Sequence, residues 1–244
     1  MNELIAGALN RSNINMKPSP AFCRIFPFAI YIGFLVFESI FSFLKTKGFD
    51  LLGNLDENWH YPIKILLVTL AILWLWRHFT ELAIPFAIKW LDLLTGIVVG
   101  VIVFVLWINL DQSWAVVGHS AGYNPTDPLS HQIDWMLVAI RIFGAAVIVP
   151  LIEELFWRSF IMRWLEQQHF LEVDPAKVGF KAFFITAVLF ASEHNLILAG
   201  LLAGFAYNWL YIRTRNLWIP VVAHSVTNGL LGLWVINTHN WQFW

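Results

Sequence analysis

Apolar residues along the chain gather into runs separated by short polar stretches, near 22–44, 61–84, 91–110, 135–165, 179–194, 196–212 and 217–236. A helix rises about 1.5 Å per residue, so roughly twenty residues cross the hydrocarbon core of a bilayer, and each run predicts a membrane helix. The fourth run is too long for one straight crossing. It contains Pro150, which removes a helical hydrogen bond and predicts a kink or a split just before Glu153 and Glu154. Seven crossings follow if this is one broken helix, and eight elements if its halves count separately. The fifth and sixth runs are short and almost contiguous, which leaves room for one of them to insert incompletely.

Charge between the runs predicts an orientation. Arg11, Lys17 and Arg24 precede the first run, Arg77 and Lys89 flank the second loop, Arg163, Lys177 and Lys181 follow the long segment, and Arg213 and Arg215 follow the sixth. The loop 111–134 and the tail after 237 hold no Lys or Arg. With seven crossings the basic segments fall on one side, which the positive-inside rule makes cytoplasmic, and only Lys45 and Lys47 dissent. The N-terminus is therefore expected inside and the C-terminus outside. Trp59, Trp90, Trp114, Trp218 and Trp241 fall where an aromatic belt is expected.

Composition agrees with the pattern. Of 244 residues 59% are hydrophobic and 13% charged, which describes an all-α polytopic transmembrane helical bundle of seven to eight helices with no soluble domain. A net charge of -1 gives a nucleic acid no electrostatic footprint. Cys23 is the single cysteine, so no internal disulfide forms. The first twenty residues are too polar for a signal-peptide core, and the first apolar run is expected to stay as a span. The chain divides into a cytoplasmic segment 1–21, helices without a recognised motif 22–130, a motif-bearing set of helices 131–237 and a short tail 238–244.

Three polar groups interrupt the apolar runs of the second half: Glu153, Glu154 and Arg158 in EELFWR, Phe190 and His194 in FASEH, and His224 and Asn228 in HSVTN. Counted from the cytoplasmic ends, Glu153 lies about 18 Å deep, His194 about 20 Å, and His224 and Asn228 about 13 and 19 Å. Charge at that depth is costly and usually paired or functional. Glu154 and Arg158 are four residues apart in the order that favours an ion pair, while Glu153 points about 100° away. A glutamate with one histidine can deprotonate a water. A histidine and an amide on the facing wall can donate to the oxyanion of a scissile carbonyl. Singly these residues have plainer readings: a structural ion pair for Glu154 and Arg158, a helix-end histidine for His194, interhelical hydrogen bonds for His224 and Asn228, and packing for Phe190. Their matched depth favours the joint reading.

The ordered motifs EExxxR, FxxxH and HxxxN on apolar helices resemble the CAAX prenyl protease and bacteriocin-processing (CPBP, or Abi) family of intramembrane endopeptidases, over about residues 145–237. The resemblance implies a glutamate-dependent protease in which Glu153 is the general base with His194 on the water, His224 and Asn228 form the oxyanion hole, and Glu154, Arg158 and Phe190 support them. It implies membrane lipid and a membrane-associated protein or peptide substrate, lipidated in some members, as partners. Trp157 and Ser159 depart from the Phe and Gly common in the family. Three alternatives stay open. GHSAG at 118–122 formally matches a serine nucleophile motif, but no βαβ pattern surrounds it; a rhomboid-like protease would use Ser120 with His224. Zinc could take Glu153, Glu154, His194 and His224 as ligands, although no H-E-x-x-H spacing occurs and no cofactor is the simpler expectation. A transporter or scaffold could bury the same groups, and Glu38 and Arg141 add further charge within the spans. Short loops favour a bacterial inner membrane.

Overall fold

The computed structural model describes residues 18–49, 59–83, 88–118, 122–127, 130 and 132–244. Among them the chain forms seven helices: α1 (Pro20–Thr46), α2 (His60–Leu75), α3 (Trp90–Asn109), α4 (Trp135–Trp164), α5 (Phe180–Ala191), α6 (Ile197–Thr214) and α7 (Trp218–Thr238). The all-α bundle read from the sequence is thus the architecture of the described residues. Helices α1, α3, α4 and α7 are long and apolar enough to cross a membrane, whereas α5 is a short apolar helix of 12 residues. Ser120 and its neighbours His119 and Ala121 lie outside the described residues, as do Arg11 and Lys17.

Local chemistry sets the ends of several helices. The Ser19 hydroxyl accepts the N–H of Phe22 at 3.1 Å with Pro20 following in the first turn, and Asp134 accepts the N–H groups of Met136 and Leu137 at the start of α4. Both are N-cap arrangements that satisfy donors left over at a helix start. Arg215 and His239 close α6 and α7 with φ of 56°, the left-handed conformation of a helix C-cap.

Helices meet where small residues let backbones approach, as is usual in bundles without a hydrophobic driving force between lipid-facing surfaces. Gly96 and Gly100 of α3 face α7, and a Cβ at Gly100 would lie 2.9 Å from the Cβ of Val226 and collide with the Ala223 carbonyl. Gly200 and Gly204 of α6 rest on α5, where a Cβ would lie 3.2 Å from the Cα of Ala191 and 3.0 Å from that of Ala187. The opposite face of α3, with Leu91, Leu94, Val98, Ile102 and Val105 exposed, is the lipid side.

Pro150 neither splits nor ends its helix. Helix α4 runs through it unbroken, but with two wide π turns, Gly144–Ile148 and Glu154–Ile161, on either side of the short α-helical stretch Val149–Glu153. A π turn spends one extra residue, so the ring is accommodated within a locally widened helix. The wide turn also resets the phase of the helix. Twelve residues separate Arg141 from Glu153, which on a regular helix would leave them about 120° apart; one inserted residue removes about 100° of that. Arg141, Ala145, Val149 and Glu153 consequently line one cavity.

Two residues counted as loop charge are not at the surface. Arg24 and Arg163 are 1% and 5% exposed. Glu81, beyond the end of α2, receives both, with Arg24 Nε at 2.9 Å and Arg163 Nη2 at 3.5 Å, and also accepts the Ser159 hydroxyl. Mutual neutralisation explains why sequence alone misplaces them: neither run of neighbours reveals that Glu81 folds against both. Glu38, a further acid within a span, pairs with Lys64 at 3.3 Å.

Candidate active site

Glu153 and Glu154 stand where the α-helical stretch of α4 gives way to the second π turn. Glu154 is fully buried, and its Oε1 accepts from Arg158 Nη1 at 3.0 Å and from His224 Nδ1 at 2.9 Å. Arg158, also fully buried, donates from Nε to Asn208 Oδ1 at 3.0 Å, and Asn208 in turn donates to the Phe183 carbonyl at 2.9 Å. The guanidinium lies 4.3 Å from the Phe190 ring centroid and 5.3 Å from that of Tyr207, where the ring faces offset part of its desolvation. The ion pair expected within one helix is therefore the middle of a chain that runs from α7 through α4 to α6 and α5.

Glu153 faces elsewhere. It is 7% exposed, its Oε2 has no hydrogen-bond partner among the described residues, and that oxygen lies 3.9 Å from His224 Nε2. Buried carboxylate oxygens without a partner are rare enough in folded proteins to call for an explanation.

The two imidazoles are fixed differently. His224 stacks on Tyr207 with centroids 4.9 Å apart and meets the Phe190 ring edge-on at 6.0 Å. Its Nδ1 donates, because Glu154 is already the partner of a guanidinium, so Nε2 is the atom left for the cavity. His194 follows the end of α5 and is not within it; its Nδ1 lies 2.9 Å from the Phe190 carbonyl. A carbonyl only accepts, which places the proton on Nδ1 and leaves Nε2 of the neutral ring as an acceptor. Trp107 of α3 meets the ring edge-on at 5.2 Å.

Asn228 is anchored by a consequence of Pro150. Val149 N–H bonds to the Gly144 carbonyl across the π turn, and the next residue, Pro150, has no N–H to offer the Ala145 carbonyl. Asn228 Nδ2 occupies it at 2.8 Å and keeps its second N–H. Thr227 beside it accepts from Tyr207 at 2.8 Å and lies 2.9 Å from the Gly100 carbonyl, tying α7 to α6 and α3.

Glu153, His194, His224 and Asn228 line one cavity of about 190 Å³, with Phe190 among its walls; Glu154 and Arg158 stand behind it. That is room for several waters. Sequence reasoning missed Asn208, Tyr207 and Thr227, although an amide inside the apolar run of α6 was a visible signal. The departures at Trp157 and Ser159 also have partners: the Trp157 indole donates to Glu193 at 3.0 Å, and Ser159 joins the Glu81 cluster. Among the described residues no group of three His, Cys, Asp or Glu side chains is arranged to hold a metal ion.

Fold and cavity together define a polytopic helical membrane protein with a carboxylate, two imidazoles and an amide facing one cavity. Residues 135–230, which contain all three motifs, match the family described as Type II CAAX prenyl endopeptidase Rce1-like. The chain is also similar to "Putative membrane peptidase YdiL" of Bacillus subtilis (strain 168), with 30% identity over 95 residues, 37% of this chain and 35% of that relative. The matched stretch thus spans about a third of the relative's length. No solved structure matches the chain. The resemblance to the CAAX prenyl protease and bacteriocin-processing family is borne out over residues 135–230.

Proposed function

We propose that the protein is an intramembrane endopeptidase of the CAAX-processing type, cutting a peptide bond near the end of a membrane-associated protein or peptide. The observation that carries this reading is the unpartnered, buried Oε2 of Glu153 in the same cavity as two histidines and an amide. A water accepted between Glu153 and His194 Nε2 gives its proton to Glu153 as its oxygen attacks the scissile carbonyl carbon. Oxyanion charge is met by the free N–H of Asn228 and by His224 Nε2. Because His224 Nδ1 already donates to Glu154, Nε2 can donate only from the imidazolium, and Glu154 is the counter-charge that favours it. Collapse breaks the C–N bond, and Glu153 returns the proton to the leaving amine.

No step requires a metal, so activity is expected to survive exhaustive chelation; loss that zinc restores would replace this mechanism with a metal-dependent one. The proposed setting is a bacterial inner membrane with the N-terminus cytoplasmic, and membrane lipid and a lipidated substrate are the proposed partners. The test is cleavage of a lipidated peptide by purified protein in lipid nanodiscs. Glu153→Gln is expected to fold and to lose cleavage, and a Glu153→Gln protein that still cuts would overturn the proposal.

A further inference from the structure

Arg141 is an intramembrane cation to which the mechanism above gives no work. It projects into the same cavity as Glu153, its Nε is buried without a hydrogen-bond partner, and among the described residues no carboxylate pairs with it. The neighbouring cation, Lys64, already has Glu38 at 3.3 Å. The guanidinium is held between aromatic rings, 4.2 Å from the Tyr61 centroid and 5.2 Å from that of Tyr123. Trp244 packs edge-on against Tyr123 at 6.2 Å, lines the same cavity, and buries an indole N–H that also lacks a partner. One end of the cavity thus offers two unmatched N–H donors and a positive charge, and the other an unmatched carboxylate oxygen. Arg141 is half-buried as a residue, charged groups within a membrane span are usually paired, and its planar fork matches a carboxylate.

We propose that Arg141 and the Trp244 indole bind the free α-carboxylate of the substrate's C-terminus, so that the cleavage position is measured from the chain end. This rests on the peptidase reading of the cavity. Spacing along α4 supports it. Eleven to twelve residues of rise separate the backbone positions of Arg141 and Glu153 by about 17 Å along the axis, and both side chains line the same cavity.

The test compares two forms of one fluorescent peptide carrying an S-farnesyl cysteine fourth from its end, the free acid and the C-terminal amide. Binding is measured by anisotropy on Glu153→Gln protein in nanodiscs, and cleavage on the unaltered protein. The amide is expected to bind about tenfold to a hundredfold more weakly, the effect of one hydrogen bond to a charged group. Adding Arg141→Gln should bring acid and amide to equal affinity, while Arg141→Lys, which keeps the charge without the fork, should keep part of the preference. Equal binding of acid and amide to protein with Arg141 intact, failure of the free acid to bind, or an undiminished preference in Arg141→Gln would each overturn the proposal. If Arg141→Gln does not fold, the acid and amide comparison on protein with Arg141 intact still decides. Absence of cleavage with a clear preference for the acid would sink the peptidase reading and leave the carboxylate site standing.

Discussion

Adjacent glutamates on one helix are expected to respond oppositely to the same substitution. Glu154→Gln removes the negative charge that Arg158 and His224 share, leaving a guanidinium buried at 0% exposure with only the neutral amide oxygen of Asn208 and two ring faces around it. Breaking one side of a buried pair in this way costs about 3–5 kcal/mol. For a chain of this length one kcal/mol shifts the unfolding midpoint by roughly 2–4 °C, so a fall of about 6–20 °C is expected. Glu153→Gln removes a buried charge whose Oε2 has no partner, and its midpoint should stay level or rise. Both variants should lose cleavage, the first because His224 loses its orientation and the second because the base is gone. The assay is thermal unfolding in one detergent at one pH, followed by tryptophan fluorescence, with peptide cleavage measured in parallel. A Glu153→Gln midpoint as low as that of Glu154→Gln would refute the division of roles, because it would mean that both carboxylates hold the bundle together.

Other expectations come from packing around the same residues. Gly100→Ala places a methyl against the Ala223 carbonyl and Val226, and should lower stability by about 1–3 kcal/mol and reduce cleavage as α7, with His224 and Asn228, is pushed away from α3; unfolding and cleavage measured on the same preparation check both. Asn208→Leu leaves the Nε of buried Arg158 without a partner, a cost of about 1–3 kcal/mol, read as a lowered midpoint. Ser120→Ala should cut at the parental rate, whereas a rhomboid-like enzyme would lose activity.

The fold class and the residues around the cavity were legible because both follow from local pattern. Apolar runs of membrane length give the helices, and a polar residue deep in such a run has few reasons to be there. Glu153, His224 and Asn228 could each be found this way. Partnerships across helices could not, since spacing within one helix says nothing about what the next one brings. Spacing paired Glu154 with Arg158, yet the same oxygen also serves His224 from a helix seventy residues on. Arg24 and Arg163 looked like loop charges because Glu81, which neutralises both, sits in a stretch with no motif. His194 was placed inside a helix because apolarity continues to its edge, while α5 stops at Ala191.

Pro150 shows how a correct local rule can yield the wrong structure and still point to function. The rule is that proline lacks an N–H; the expected result was a kink or a split, and the split does not occur. Here the missing proton falls opposite the Ala145 carbonyl, already released by the π turn, and Asn228 takes that carbonyl from α7. Pro150→Ala supplies an N–H that competes for the same oxygen in the π register, or restores a regular turn onto Ala146. Replacing proline within a helix favours the folded state by up to about 3 kcal/mol, against about 0.5–1.5 kcal/mol for the lost Asn228 bond. Stability should therefore be unchanged or raised. Cleavage should fall, approaching the loss of about 10²-fold or more that accompanies removal of an oxyanion donor if Asn228 swings away completely. The narrower turn would also rotate Arg141 by about 100° relative to Glu153, so discrimination between a free C-terminus and its amide should weaken in the same variant. Pro150→Ala protein with parental kcat/KM and an undiminished preference for the free acid would show that the wide turn positions neither group.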